Sequence, residues 1–260
     1  MASSAAVVGK KNVWLTGASS GIGKALAGEL VSQGHFVIAS GRNQNALDEL
    51  KAKYPNHVET LAFDATSDAD WESLPGRLAQ VVDQLEMVVM AAGVCDYIDA
   101  PDADVEVYRK VFEVNFFAGV RTVNCALPFL ERSDLTRQVA GVGSLSAQAA
   151  FTRAQAYGAS KSALEYWLEC QRLDLSAREI SVTVISPGFV DTPMTEQNDF
   201  SMPGKISAEQ AAQIIAQGLE DKKMYIRFPK RLYWPLRLAR WVPGLWFGWL
   251  ADKIQRRDDL

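Results

Sequence analysis

A tyrosine and a lysine four residues apart, Tyr157 and Lys161, are the side chains in this sequence best suited to acid–base chemistry. Residues i and i+4 lie on one face of a segment that is helical. The pKa of a free tyrosine is about 10, so tyrosine exchanges protons poorly at neutral pH. A nearby ammonium group favours the phenolate and lowers that pKa, which would let Tyr157 exchange a proton with an alcohol or ketone oxygen. The spacing alone also fits an ordinary helix face, so the rest of the chain must decide between the two interpretations.

A serine is the predicted partner of this pair. Residues 139–143 are small and apolar and predict a buried strand, and Ser144 follows it directly. Ligands of doubly wound sheets bind outside the carboxyl ends of the strands, so Ser144 and Tyr157 can converge there. A serine nucleophile would instead need a base. The two histidines, His35 and His57, fall in the predicted second strand and beside the third, which does not suggest a catalytic triad.

A glycine-rich turn near the N-terminus predicts a phosphate site. Asn12–Leu15 reads as a buried strand, Thr16–Gly23 follows with the spacing G-x-x-x-G-x-G, and a helical pattern then runs to Gly34. Backbone N–H groups at such a turn attract an anion, and glycines let a pyrophosphate approach the main chain. Glycines that serve only helix–strand packing are the alternative, but the flanking strand and helix favour nucleotide binding. The predicted contacts are Gly17, Ser19, Ser20, Gly21, Ile22 and Gly23.

The second predicted strand, His35–Ser40, ends where a dinucleotide site meets the adenosine ribose. An acidic residue there would bind the 2′-hydroxyl of NAD, whereas an arginine suits the 2′-phosphate of NADP. Arg42 occupies this place, with Asn43 as a further hydrogen-bond donor and no acidic residue in positions 40 to 43. We therefore expect NADP(H), although Arg42 would also be ordinary as a solvated loop residue.

Three further positions complete the predicted site. Asp64 ends the predicted strand 58–63 and could accept a hydrogen bond from the adenine amino group or simply cap the next segment. Ala92 and Gly93 follow the predicted strand Met87–Met90 and leave room for a ring beside the backbone. Asn115 falls inside a long helical pattern, 104–130, where asparagine is a mediocre interior residue that often bonds a neighbouring carbonyl.

Taken together, these motifs resemble the short-chain dehydrogenase/reductase family over residues 10–227. Their order and spacing make the likeness specific, and the Gly41-Arg42 pair resembles the NADP-preferring branch. One departure is Ala91, where the family usually has asparagine; we interpret that asparagine as a support of the sheet. The motifs are Thr16-Gly17-xxx-Gly21-Ile22-Gly23, Asp64, Ala92-Gly93, Asn115, Ser144, Tyr157-xxx-Lys161 and Pro187-Gly188-Phe189-Val190-Asp191-Thr192.

The resemblance implies a fold and a set of roles. The fold would be α/β, a Rossmann-type doubly wound parallel sheet of about seven strands in a single domain. Tyr157 would be the acid/base, Ser144 would bond the substrate carbonyl, Lys161 would hold the nicotinamide ribose and lower the Tyr157 pKa, and Asn115 would position a water. Pro187, Gly188, Val190 and Thr192 would touch the nicotinamide end. The resemblance also implies a homodimer or homotetramer.

Composition limits the other function classes. The chain has 260 residues and a net charge of −4, which argues against nucleic acid as a partner. The cysteines, Cys95, Cys125 and Cys170, form neither a metal spacing nor a disulfide framework, so no metal is expected. The first ten residues lack the features of a signal peptide, and no run of 18 apolar residues predicts a membrane span. We therefore expect a cytoplasmic protein.

A C-terminal extension, residues 228–260, follows the predicted domain 10–227. Residues 228–250 hold seven aromatic side chains interleaved with Lys230, Arg231, Arg237 and Arg240, and the prolines predict that the segment is broken into short pieces. An oligomer contact or core packing is the expectation we favour. Peripheral membrane contact and a cover over the substrate pocket remain alternatives.

The sequence thus predicts an NADP(H)-dependent oxidoreductase that interconverts a small-molecule carbonyl and a secondary alcohol. The aromatic extension suggests a lipophilic substrate. Three alternatives remain open: a non-catalytic NADP(H)-binding sensor or scaffold, an NAD(H)-dependent dehydrogenase, and a membrane-docked protein whose extension is its main function.

Overall fold

Seven parallel strands form the central sheet in a computed structural model that describes residues 10–99 and 102–250. The strands are β1 (Asn12–Thr16), β2 (Phe36–Ser40), β3 (Val58–Thr60), β4 (Met87–Met90), β5 (Arg137–Val142), β6 (Ile180–Pro187) and β7 (Tyr225–Phe228). Their order across the sheet is β3-β2-β1-β4-β5-β6-β7. The sequence prediction of a seven-stranded, doubly wound parallel sheet is therefore confirmed.

Helices cover both faces of this sheet. They are α1 (Gly21–Ser32), α2 (Gln44–Lys53), α3 (Asp68–Ala79), α4 (Val105–Phe112), α5 (Ala118–Leu130), α6 (Gln155–Ser176), α7 (Pro193–Glu196), α8 (Ala208–Glu220), α9 (Lys230–Trp241) and α10 (Pro243–Leu245). Two π-helical turns, Glu113–Phe117 and Trp246–Leu250, and a 3-10 turn, Leu145–Ala147, complete the described elements. None of the described helices is both long and apolar enough to cross a bilayer.

The apolar strands are buried because each has a helix layer above and below it. One core, which includes Leu15, Leu26 and Ile215, lies between the sheet and helices α1 and α8. A second core, which includes Trp14 and Leu168, lies on the opposite face. The single polar group of the Trp14 side chain is satisfied, because its Nε1 donates to Ser40 Oγ at 2.9 Å. Two separate cores of this kind fix the strand register that aligns the carboxyl ends.

Element boundaries differ from the sequence prediction most at β3 and in the helix predicted over 104–130. Helix α3 begins at Asp68, where Ser67 caps it by accepting the Asp70 N–H. Strand β3 ends at Thr60 rather than residue 63. The long helix predicted over 104–130 is interrupted by the π-helical turn Glu113–Phe117.

The prolines of the C-terminal extension break the chain less than predicted. The expected break at Pro235 is wrong, because Pro235 lies inside α9, a single helix of twelve residues. Pro229 lies at the N-terminal cap of α9, and Pro243 begins α10. Residues 251–260 of the predicted extension, and residues 1–9, to which most of the signal-peptide expectation applies, lie outside the described residues.

A pair of helical glycines offers a matched test of the packing between α1 and the end of β1. A Cβ on Gly23 would lie 2.1 Å from the Gly17 carbonyl oxygen, whereas a Cβ on Gly76, in α3, would meet nothing within 4 Å. We expect Gly23→Ala to lower the free energy of unfolding by about 2 kcal/mol or more through overpacking. Gly76→Ala should raise it by about 0.5–1 kcal/mol through helix propensity. Urea unfolding would measure both, and equal midpoints for the two variants would contradict the close approach.

Candidate active site

The tyrosine–lysine pair lies where the sheet opens. Helix α6 presents Tyr157 and Lys161 one turn apart, toward the carboxyl end of β5. The Lys161 side chain is buried, with 3% of its surface exposed, and its Nζ donates to the Val142 carbonyl oxygen at 2.8 Å. The Ser144 side chain lies beside the Tyr157 hydroxyl, close enough to lower the pKa of Tyr157 in part. Ser144, Tyr157 and Lys161 are therefore brought together, as the sequence predicted.

Burial determines the proton affinities of this pair. It raises the pKa of Tyr157 to about 12, opposed in part by the hydrogen bond with Ser144. It lowers the pKa of Lys161 to about 8, opposed by the neighbouring Glu165 carboxylate. The expected lowering of the Tyr157 pKa by Lys161 is therefore not what this structure gives. The ammonium lies 5.9 Å from the centre of the Tyr157 ring, and desolvation of the phenolate is the larger effect.

Asn115 sits in the π-helical turn between α4 and α5, where its amide is fully engaged. Its Oδ1 accepts the Val94 N–H at 2.8 Å, and its Nδ2 donates to the Val94 carbonyl at 2.9 Å and to Ser160 Oγ at 3.0 Å. Ser160 Oγ in turn donates to the Tyr157 carbonyl oxygen at 2.8 Å. Asn115 therefore joins the loop after β4 to the first turn of α6. π-Helical turns of this kind often mark functional positions.

The glycine turn between β1 and α1 forms a backbone cradle. Gly17 and Gly21 have positive φ angles of 72° and 50°. A Cβ on Gly17 would lie 2.5 Å from the Ala92 nitrogen, so the turn packs directly on the loop after β4. Ser20 precedes α1 without a side-chain capping bond, and the first turn of α1 carries no acidic residue. This end of α1 therefore presents free N–H groups and a positive dipole end, which fit a pyrophosphate.

The predicted adenosine end separates into residues that face the cleft and one that does not. Arg42 is exposed on the cleft wall. The pKa of Asp64 is lowered mainly by hydrogen bonds from the backbone and side chain of Thr66, and to a smaller extent by the charge of Arg42. Asn43 is used differently, because its Oδ1 caps α2 by accepting the Ala46 N–H at 3.2 Å. The Asp64 carboxylate accepts the Thr66 N–H within its own turn, and Asp64 also lines the cleft.

Most of the predicted site residues line one continuous cleft at the carboxyl edge of the sheet. Asn43 and Asn115 lie outside the lining, the first as a helix cap and the second behind Gly93. The predicted residues that line the cleft are Gly17, Ser19, Ser20, Gly21, Ile22, Gly23, Arg42, Asp64, Ala92, Gly93, Ser144, Tyr157, Lys161, Pro187, Gly188, Val190 and Thr192. The described residues contain no cluster of side chains that could hold a metal ion.

Sequence reasoning missed Glu165, which lies one turn beyond Lys161 on the same face of α6. The carboxylate is buried, accepts hydrogen bonds from Ser186 Oγ at 2.7 Å and from Gln148 Nε2 at 2.9 Å, and lies against Gly143, where a Cβ would be 2.7 Å from its Oε1. It thereby ties together the segments that follow β5 and the end of β6. The spacing of residues 157, 161 and 165 was the available signal, but nothing local shows that a glutamate at this position is buried.

Sequence reasoning also missed the aromatic wall beside the reacting groups. Tyr97 lies near Tyr157, and its hydroxyl donates to Asn198 Oδ1. Phe200 packs edge-on against both Tyr97 and Phe189, with ring centres 6.1 and 6.0 Å apart. The loop after β4 and the segment after α7 therefore contact each other near Tyr157.

Known proteins share both this sequence pattern and this fold. The family model for short chain dehydrogenases matches residues 11–201. An oxidoreductase of Myxococcus xanthus is 32% identical over 247 residues, which cover 93% of this chain and 96% of the relative. A Burkholderia phymatum short chain dehydrogenase/reductase in complex with NAD superposes with a TM-score of 0.81 at 20% identity, over 96% of this chain and 98% of that one. A Sphingobium yanoikuyae short-chain dehydrogenase in complex with NADPH superposes with a TM-score of 0.76 at 22% identity, over the same shares. This chain therefore belongs to the short-chain dehydrogenase family and is an oxidoreductase enzyme.

Proposed function

We propose that the protein uses NADP(H) to interconvert a carbonyl and a secondary alcohol on a lipophilic small molecule. The observation that carries the reaction type is the meeting of Tyr157, Ser144 and Lys161 at the edge of the sheet where the glycine turn of β1 opens. An acid, a second hydroxyl donor and a cation lie together beside a cradle that fits a dinucleotide phosphate.

The chain supplies the proton and the charge compensation. A carbonyl oxygen placed against the Tyr157 and Ser144 hydroxyls accepts a hydrogen bond from each. The nicotinamide cofactor, when bound, supplies the hydride for reduction or accepts it in oxidation. As negative charge develops on the substrate oxygen, Tyr157 transfers its proton to it and becomes a phenolate. The Lys161 ammonium opposes the charge of that phenolate, which is the reason to keep a cation in this buried place.

Asn115 and Glu165 act through their neighbours. Asn115 fixes the loop after β4 relative to α6, and Glu165 holds Gln148, in the segment after Ser144, against Ser186 at the end of β6. Neither side chain lines the cleft. We therefore propose both as positioning residues, and the water that Asn115 was expected to hold stays a prediction.

The preference for NADP(H) rests on Arg42. It is the exposed cation at the carboxyl end of β2, and positions 40 to 43 contain no carboxylate that would bond a ribose hydroxyl. One neighbour of the same fold carries NAD and another carries NADPH, so the fold alone does not choose between the cofactors.

The lipophilic character of the substrate rests on the walls beside Tyr157. Tyr97, Phe189 and Phe200 form an aromatic group over this end of the cleft. Cys95 lies nearby as a thiol whose pKa is raised by burial to about 11, so it stays neutral and apolar in character at physiological pH. A bulky apolar ketone or alcohol fits these surroundings better than a charged one.

We also propose a homo-oligomer, a homodimer or a homotetramer. Tyr166 and Leu173 on α6 are 72% and 76% exposed, and Phe117 beside α5 is 46% exposed. Large apolar side chains in such positions are suited to contact with a second copy.

Removal of the Tyr157 hydroxyl tests the reaction type. A panel of aldehydes and ketones with NADPH should reveal a substrate for the unaltered protein, and Tyr157→Phe should lower kcat by about 10²–10⁴-fold. NADPH binding, followed by its fluorescence, should stay within about threefold. If NADPH binds but no member of the panel is reduced, the non-catalytic sensor becomes the better interpretation.

Replacement of Arg42 tests the cofactor preference. Loss of a charged hydrogen bond is worth about 1.5–3 kcal/mol, so Arg42→Ala should raise the KM for NADPH about 10- to 100-fold. The KM for NADH should change little. Lys51→Ala is the matched control, because it removes a cation of α2 that is already paired with Glu59. An unaltered enzyme that prefers NADH, or a variant weakened equally for both cofactors, would refute the NADP(H) proposal.

The buried ammonium predicts a stability gain when it is removed. The pKa of Lys161 in the folded protein is about 8, below its ordinary 10.5, so the charged form is disfavoured by folding. This destabilisation is fully present below pH 8 and disappears as the pH rises to 10.5. Lys161→Met should therefore raise the free energy of unfolding by about 1–3 kcal/mol at pH 7 and by less at pH 10, while turnover falls.

Urea unfolding at both pH values measures this effect. Lys24→Met is the control, because Lys24 is exposed and should change stability by less than about 0.5 kcal/mol. A Lys161→Met protein less stable than the unaltered one at pH 7 would show that the Val142 contact outweighs the burial of the charge.

A further inference from the structure

The outward face of α9 exposes large apolar side chains. Trp234, Leu238 and Trp241 are 62%, 60% and 75% exposed, and their spacing of four and three residues places them on one face of the helix. Phe247, in the π-helical turn Trp246–Leu250, is 59% exposed. An exposed face with two tryptophans and a leucine on one short helix is uncommon on a protein surface that contacts only water.

The opposite face of α9 is fixed to the catalytic domain. Tyr233, Leu236 and Trp246 are buried against Leu145, the residue that follows Ser144. Trp246 Nε1 also donates to the Ala150 carbonyl oxygen at 2.9 Å. The inner face therefore already supplies the packing that holds the helix, and the outer face is presented without any role in the described fold.

The charges around this face are all of one sign. Residues 222–251 contain seven lysines and arginines and no aspartate or glutamate, in a chain whose net charge is −4. Lys230 and Arg231 are exposed and Arg237 is half-buried. Arg240 is also exposed, but it reaches back toward the domain, where its Nη1 donates to the Ala147 carbonyl oxygen at 3.5 Å. Within residues 10–99 and 102–250, no carboxylate lies at ion-pair distance from these four cations.

We propose that this face of α9 docks the protein on a bilayer that contains anionic phospholipids. Tryptophan favours the boundary between headgroups and acyl chains, and arginine and lysine stems extend from there to the phosphates. Each basic residue near an anionic surface contributes about 1 kcal/mol of attraction. At about 1.5 Å per residue, the twelve residues of α9 extend about 18 Å, which suits a helix lying in the interface rather than crossing it.

A second copy of the chain is the less favourable occupant. In a twofold dimer the same face meets itself, so Lys230, Arg231 and Arg237 of one α9 would lie near the same three cations of the other. No acidic side chain on residues 222–251 is available to offset that repulsion. An anionic bilayer offers acyl chains to the apolar side chains and phosphates to the basic ones, so it matches both features of this face.

The docked face borders the catalytic cleft. A Cβ on Gly188, in the loop after β6, would lie 2.9 Å from Pro229 Cδ and 3.1 Å from Leu232 Cδ2, so the first turn of α9 packs on a cleft residue. Docking would hold the cleft within about a helix diameter of the bilayer. Membrane docking does not depend on the proposed reaction, and it would bring a lipophilic substrate to the site.

Vesicle co-sedimentation of the full chain tests the proposal. The protein should bind vesicles of phosphatidylcholine with 30% phosphatidylglycerol at least about tenfold more tightly than pure phosphatidylcholine, and 0.5 M NaCl should weaken that binding. The triple variant Trp234→Ser, Leu238→Ser, Trp241→Ser should lose about tenfold or more. The double variant Arg231→Glu, Arg237→Glu should lose about as much and also lose the preference for anionic lipid.

A control variant separates this face from general surface hydrophobicity. Leu135→Ser with Ile214→Ser removes exposed apolar side chains elsewhere, 52% and 42% exposed, and should bind vesicles within twofold of the unaltered protein. Circular dichroism and thermal unfolding would confirm that every variant is folded. Anionic vesicles bound equally by the unaltered protein and the triple variant would overturn the proposal. So would a triple variant that only converts a dimer to a monomer in light scattering, or a preference for single-stranded DNA over vesicles.

Discussion

The buried ammonium of Lys161 is the constraint on which the site depends. A cation with 3% of its surface exposed, held by one backbone carbonyl at 2.8 Å, is disfavoured unless the surrounding fold imposes it. The nearby Glu165 carboxylate opposes the loss of charge but itself accepts hydrogen bonds from Ser186 and Gln148. The fold therefore keeps the Lys161 ammonium in a place where water cannot solvate it. A phenolate that forms at Tyr157 would be stabilised by this ammonium.

Close backbone approach is the second requirement of this geometry. Gly17 lies against the Ala91–Ala92 peptide, and Gly23 lies against the Gly17 carbonyl, at distances that leave no room for a Cβ. These contacts bring the start of α1, the end of β1 and the loop after β4 together at the point where the strand order diverges from β1 toward β2 and toward β4. Asn115 then connects that loop to α6. The cradle for the cofactor and the acid–base pair are thus positioned through one set of backbone contacts.

The C-terminal helix links the site to the surface. Its inner face packs on Leu145, which follows Ser144, and on Gly188, in the loop after β6. Its outer face carries the exposed tryptophans and the basic side chains. Because one helix has both contacts, its docking surface and the cleft have a fixed relation to each other, which is the physical basis for expecting a substrate that partitions into lipid.

The sequence by itself indicated the strands, the glycine turn and the Tyr157–Lys161 pair, because apolar periodicity, glycine spacing and i,i+4 spacing are local properties. The parallel sheet was implied by the family resemblance, and the approach of Ser144 by the rule that ligands bind at the carboxyl ends of strands. The sequence did not determine that the helix over 104–130 is interrupted at Asn115, that Asn43 caps α2, or that Pro235 lies within an unbroken α9. Nor could it give the direction of the Tyr157 pKa shift or the burial of Glu165. Those depend on which distant segments exclude water from a side chain, and that exclusion exists only once residues far apart in the chain have packed together.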